Sequence, residues 1–194
     1  MKLYYNPRSR AAIAKWALDE CRAGYELVHV DLQKREHKTP EFLRINPAGK
    51  LPALVDGAAQ VFENAAICLY LAEKFPQAGL APLPSSAERG RFLSLVVYSV
   101  AQVEPSMGDS LLKQETPPSR GWNDFETVKT VVEGELGGGP WLFGEQFTMA
   151  DIMVGSMFMW QRLWGVKTGR PALEAYVDRL QARPYAMRMG QEHR

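Results

Sequence analysis

The stretch KLPALV, Lys50 to Val55, reads as the start of a buried strand with a proline set inside it. Leu51, Ala53, Leu54 and Val55 are apolar, but Pro52 cannot donate a ladder hydrogen bond and is out of place in a central strand. An edge strand is one solution. The other is a cis X–Pro bond in a tight turn, which the tertiary amide allows at modest cost. A cis bond here would turn the backbone N–H and C=O of Leu51 outward, where an extended peptide could pair with them as an added strand. Just downstream, ALV (53–55) and AQVF (59–62) flank DGA, a hairpin signal.

Working outward from that hairpin, KLYY (2–5) predicts a strand and NPRS (6–9) a turn, since Asn-Pro initiates turns. Ile13, Trp16, Ala17 and Cys21 fall near helical spacing, so residues 10–21 read as an amphipathic helix. YELVHVDL (25–32) alternates as a strand, TPEFLRINP (39–47) as a helical turn stopping before Pro47, and NAAICLYLAEKF (64–75) as a helix with Asn64 at its N-cap. The order β-α-β-α-β-β-α implies a parallel crossover followed by an antiparallel edge, a small α/β domain with a mixed sheet. The proline-rich stretch from Pro76 to Ser86 reads as a linker. Beyond it, helical patterns start near residue 87 and recur at 124–136, 149–163 and 172–184. The expected division is an α/β domain at 1–76, a linker at 77–86 and an all-α domain at 87–194.

Composition narrows the function classes. The chain has 194 residues, 46% of them hydrophobic, and a net charge of +1, enough for a sizeable core and without the clustered basic face of a nucleic-acid binder. It shows no run long and apolar enough to span a bilayer and no apolar secretory stretch at MKLYYNPRSR, so a cytoplasmic location and no membrane partner are expected. Cys21 and Cys68 sit among apolar neighbours and read as reduced core thiols. His29, His37 and His193 lack metal-ligand spacing. AGKL lacks the remainder of a phosphate loop. No metal is expected. TMAD, Thr148 to Asp151, reads as a structural capping box. The Met/Trp-rich run 153–164 reads as core.

Two helix starts carry chemistry. Asn64, after Glu63, lies where free N–H groups suit a carboxylate. Ser9 presents a hydroxyl beside the start of the 10–21 helix, where an anion is stabilised. Each is also an ordinary cap. Together with Leu51 they suggest a peptide ligand with an anionic end and a nucleophile held near Ser9.

INPAGKLPALVDG, ENAAICLYLAEKF and GEQFTMADI, in that order, resemble the glutathione S-transferase family, and the resemblance runs over essentially the whole chain. It implies a thioredoxin-like N-terminal domain, an all-α C-terminal domain, glutathione as co-substrate and a homodimer. It implies that Pro52 is cis, that the Leu51 backbone pairs with the cysteinyl part of glutathione, that Glu63 and Asn64 hold the γ-glutamyl end, and that Lys50 lies toward the glycyl carboxylate. The family more often has serine where this chain has Asn64. Some bacterial relatives carry a cysteine where this chain has Arg10, which argues against mixed-disulfide chemistry. Tyr4, Tyr5 and Ser9 lie near the position of the thiol-activating residue; Ser9 is the first choice and Tyr5 the alternative. The electrophile pocket is implied to draw on the first long helix of the second domain, with Tyr98, Gln102 and Met107 as candidates. The expected reaction is conjugation of the glutathione thiolate to small hydrophobic electrophiles, as in detoxification. The alternatives are a glutathione-dependent isomerase and a non-catalytic interaction protein on the same fold.

Overall fold

The computed structural model describes residues 1–188; His193 and the last residues of the expected second domain lie outside them. The described chain divides into two units. The first is Met1–Ala78 with the segment from Tyr185 on, and the second is Gly79–Pro184. The break falls between residues 78 and 79. Gly79 and Leu80 go with the second unit because Gln146 Nε2 donates to Gly79 O at 2.7 Å and Met149 N–H to Leu80 O at 2.8 Å. The segment from Tyr185, expected with the helical domain, instead belongs to the first unit, and its Ala186 and Met187 are buried.

In the first unit, β1 (Lys2–Tyr5), α1 (Ala11–Glu20), β2 (Glu26–His29), α2 (Pro40–Leu43), β3 (Ala53–Asp56), β4 (Ala59–Phe62) and α3 (Asn64–Lys74) follow in chain order. The sheet order is β2-β1-β3-β4. β1 is parallel to β2 and antiparallel to β3, which is antiparallel to β4, the mixed sheet expected from the crossover and hairpin. The two-residue loop between Asp56 and Ala59 needs a positive φ, and Gly57 supplies it at 60° without a Cβ penalty.

Strand alternation sorts the two faces. Leu3, opposite Leu54, and Tyr5 are buried on the side of α1, whose Ile13, Trp16 and Ala17 are buried as the periodicity predicts. Tyr4 points to the other face, where it packs edge-on to Phe42 of α2 with centroids 5.7 Å apart. Val30, Phe42 and Ala53 form that smaller core, with Tyr4, Ile45 and Leu51 against it. Thr39 caps α2 by accepting from Phe42 N–H at 3.3 Å, with Pro40 in the first turn, where its missing N–H is harmless.

The second unit comprises α4 (Glu88–Tyr98), α5 (Glu104–Leu111), α6 (Phe125–Leu136), α7 (Met149–Leu163) and α8 (Pro171–Gln181). The long helix expected from residue 87 is not uniform. Ser99–Val103 is a π segment, closed by Glu104 N–H to Ser99 O. Pro105 follows at once; a proline lacks the N–H for an i→i−4 bond and crowds that carbonyl, so a widened turn ahead of it relieves both problems. α7 is buried nearly all round, from Met149 to Met159, and forms the centre of the unit. A Cβ at Gly155 would collide with Leu180 of α8, so only glycine permits this helix approach.

The TMAD reading holds. Thr148 Oγ1 accepts from Ala150 N–H at 3.2 Å, and Asp151 Oδ2 accepts from Thr148 N–H at 2.8 Å. Asp151 does more than cap: its Oδ1 accepts from Leu142 N–H at 2.9 Å and Tyr176 O–H at 3.0 Å. One buried carboxylate thus ties α7 to the preceding loop and to α8. Among the described residues no helix is long and apolar enough to cross a membrane, and no group of three or more His, Cys, Asp or Glu is placed to hold a metal ion.

Candidate functional site

The site assembles in the first unit, where the starts of α1 and α3 meet. Asn64 Nδ2 donates to Arg10 O at 3.1 Å and pins the two helix entrances to each other. Asn64 is therefore not the cap its sequence suggests. It is the first residue of α3, and the cap position belongs to Glu63, whose side chain makes no capping bond. Glu63 holds φ 68° and ψ 129°, a region that costs a non-glycine residue about 1–3 kcal/mol. Such strain at a helix start leaves the first N–H groups of α3 uncapped by a side chain, which is the geometry that receives a carboxylate. Asn64 is buried, and its Oδ1 has no partner among the described residues.

The Leu51–Pro52 bond is cis. β3 begins its register with both neighbours only at Ala53, so Leu51 lies one residue outside the paired region. The loop before it is shaped by Asn46, which is 1% exposed. Asn46 Nδ2 donates to Lys50 O at 2.8 Å, and its Oδ1 accepts from Ala48 N–H at 3.0 Å. Asn46 was missed in the sequence, although the pair Asn46-Pro47 repeats the Asn6-Pro7 turn signal. Lys50 is exposed. Lys38, Arg35 and Lys50 all bear on His37, whose pKa is lowered first by burial and then by these charges, so this rim of the unit is cationic.

The two thiol-activating candidates differ sharply. Ser9 is half-buried at the turn into α1; its hydroxyl donates to Asn6 O at 2.8 Å and accepts from Ala11 N–H at 3.2 Å. The cap position proper is held by Arg10. Tyr5 is 6% exposed, and its hydroxyl is fully buried with no partner among the described residues. Burial raises its pKa, and Asp19 raises it further. The same Asp19 accepts from Tyr25 O–H at 2.5 Å and pairs with Lys15 at 2.7 Å.

In the second unit, Tyr98 is half-buried and its hydroxyl has no partner among the described residues. Gln102 is engaged with the loop ahead of α6: Nε2 donates to Gly121 O at 2.8 Å and Oε1 accepts from Asn123 N–H at 3.0 Å. Met107 is 3% exposed and belongs to the core. Cys21 and Cys68 are buried as expected, and burial pushes the Cys21 thiol up to about 12 and Cys68 higher still.

Comparison with known proteins decides the ancestry. Residues 1–73 match the family described as Glutathione S-transferase, N-terminal domain, and residues 119–179 match Glutathione S-transferase, C-terminal domain. The chain belongs to the glutathione S-transferase family. Among curated relatives of this glutathione S-transferase, the disulfide-bond oxidoreductase YfcG of Escherichia coli is 31% identical, over 94% of this chain and 90% of that protein. A glutathione transferase from Methylococcus capsulatus superposes with a TM-score of 0.79 at 30% identity, covering 95% of this chain and 94% of that one. A sphingomonad glutathione S-transferase complexed with glutathione superposes with a TM-score of 0.77 at 32% identity, covering 96% and 95%. The two units are accordingly the thioredoxin-like and helical parts of the glutathione S-transferase fold.

Proposed function

We propose that the chain binds glutathione and transfers its thiolate to a small hydrophobic electrophile. The observation that carries this reading is the joint between Asn64 Nδ2 and Arg10 O, which sets two helix N-termini side by side in the unit that holds cis-Pro52. The α3 start, at strained Glu63 and Asn64, receives the γ-glutamyl carboxylate. The Leu51 backbone, beyond the paired part of β3, aligns the cysteinyl residue. Lys50 and the cationic rim draw the glycyl carboxylate. The thiol then lies at the α1 start beside Ser9.

A free thiol has a pKa near about 8.5, so little of it is thiolate at neutral pH. The Ser9 hydroxyl and the positive end of α1 stabilise the thiolate. Its proton leaves to solvent, the sulfur lone pair forms the new C–S bond, and the leaving group departs with its electron pair or, in an addition, the pair passes to the acceptor. Tyr98 keeps its assignment to the electrophile pocket because its hydroxyl is left unpaired. Gln102 and Met107 are retained as neighbours of that helix face, with the loop contact and the core burial as their evident tasks.

The test is calorimetric titration with glutathione and with analogues lacking the γ-glutamyl or the glycyl end. Saturable heat with glutathione, weakened by loss of either end, is the expected result. Absence of heat at millimolar glutathione would remove the proposal and leave an interaction protein on this fold. The E. coli relative named as a disulfide-bond oxidoreductase makes disulfide reduction the second reading. It would oxidise two glutathione thiols per substrate disulfide, whereas conjugation consumes one per electrophile, and isomerisation none. Neither protein thiol is accessible for a mixed disulfide.

We also propose that the protein is a homodimer. Leu93, Val97 and Val100 stand at helical spacing along α4 and the π segment, and are 38%, 52% and 37% exposed. A second copy would cover this stripe. Val97→Glu is expected to convert dimer to monomer in sedimentation equilibrium at micromolar concentration. A wild-type protein that sediments only as monomer would end the claim.

A further inference from the structure

The β1–β2 ladder stops one rung early, and the residue that completes it also shapes the thiol site. Glu26 N–H donates to Met1 O at 2.9 Å and Val30 N–H to Tyr5 O at 2.9 Å, in the parallel register Lys2↔Glu26 to Tyr5↔His29. Evenly spaced parallel bonds alternate in direction, so the next rung is the N–H of residue 7 on the Val30 carbonyl. Residue 7 is proline and has no N–H. Val30 O takes Asn6 Nδ2 instead, at 2.9 Å.

The other end of the same amide works locally. Asn6 Oδ1 accepts from Arg8 N–H at 3.0 Å, an Asx turn. The backbone carbonyl of Asn6 then accepts both Ser9 N–H at 3.0 Å and the Ser9 hydroxyl at 2.8 Å. A carbonyl and an N–H are the two amide partners, so the orientation of the amide follows from its bonds. The chain of contacts runs from the Val30 carbonyl, through the Asn6 side chain, to the carbonyl that aims the Ser9 hydroxyl.

We infer that Asn6 is a positioning residue for thiol activation: its side-chain amide supplies the ladder donor that Pro7 lacks, and so fixes the turn that presents Ser9. The inference rests on the reading of Ser9 as the hydroxyl that faces bound glutathione. When thiolate forms, the hydroxyl swings from Asn6 O to sulfur, while Ala11 N–H holds its oxygen in place and Ser9 N–H keeps the turn closed.

The test measures the pKa of bound glutathione from thiolate ultraviolet absorbance, together with glutathione affinity and turnover, in Asn6→Ala, Asn6→Asp, Ser9→Ala and Asn6→Ala/Ser9→Ala. Asn6→Ala is expected to raise the bound thiol's pKa and cut turnover on the order of tenfold, since small displacements at a reacting centre are costly, with affinity changed by less than about threefold. Asn6→Asp keeps the Arg8 bond but cannot donate to Val30 O, and should show the same defect. In the Ser9→Ala background the Asn6 substitution should add nothing to the pKa, because it acts through that hydroxyl. A wild-type pKa in either single Asn6 variant, or additive shifts in the double variant, overturns the inference. Should Asn6→Ala fail to fold, Asn6→Asp decides alone. A wild-type complex whose thiol titrates like free glutathione overturns the proposed function itself, and the inference with it.

Discussion

Asp151→Ala should cost about 3–5 kcal/mol of unfolding free energy, because it strands three buried donors at about 1–3 kcal/mol each with partial relief by relaxation. Those donors are Thr148 N–H, Leu142 N–H and the Tyr176 hydroxyl. For a chain of this size the loss corresponds to a fall in Tm on the order of 10 °C. Guanidinium unfolding followed by circular dichroism measures it, and a loss below about 1 kcal/mol would show that the carboxylate merely occupies its place. A second observable comes from pH. Burial, the largest influence, pushes the Asp151 carboxyl up to about 6 from an ordinary 3.8, against the pull of its four donors. The folded state therefore holds this proton more tightly than the unfolded chain does. The stability this group contributes is fully present below about pH 4 and is lost as pH rises through 6. Asp151→Asn cannot titrate, so the stability gap between wild type and this variant should narrow from pH 4 to 6 and then level off.

Ser9→Ala is expected to lower conjugation turnover by about a hundredfold, the lower range for removing one donor from a developing anion. Glutathione affinity should change little, because the bond strengthens only as thiolate forms. The pH profile for a generic aryl halide should move to the alkaline side, and each pH unit corresponds to about 1.4 kcal/mol of lost thiolate stabilisation. Tyr5→Phe provides the contrast. Its hydroxyl is buried and unpartnered among the described residues, so its removal should leave the profile unchanged and cost no stability. An alkaline shift in Tyr5→Phe with an unmoved Ser9→Ala would transfer the role to Tyr5. Unmoved profiles in both would leave the backbone N–H groups at the start of α1 as the source of activation.

Much of this architecture was legible because local and tertiary preferences agree in it. The period-2 pattern of Lys2–Tyr5, the hairpin at Asp56–Ala59 and the capping box at Thr148 each encode their geometry within a few residues. Pro52 was legible for the opposite reason: it violates the local pattern, and such violations concentrate at sites. What escaped the sequence depends on distant partners. Asn64 looks like a cap by type, but Arg10 O takes its amide from far along the chain and moves the cap to Glu63. Ser9 looks like a free hydroxyl until Asn6 O claims its proton. Asn46 and Asn6 each read as turn residues, and only the positions of Lys50 O and Val30 O reveal what their amides hold.

The widened turn at Ser99–Val103 amounts to one residue inserted into an otherwise straight rod. Each α-helical residue rotates the chain by about 100°, so deleting a single residue there would swing everything after it by that angle. Ser106, Met107 and Asp109 now point inward. After a deletion they would turn aside, and Asp109 would lose Trp122 Nε1 and the Thr116 hydroxyl, which it now holds at 2.9 and 3.1 Å. Across relatives, an alignment gap inside this segment would therefore mark a lineage in which the loop between α5 and α6 had to be rebuilt, whereas substitutions within it leave the phase of the helix intact.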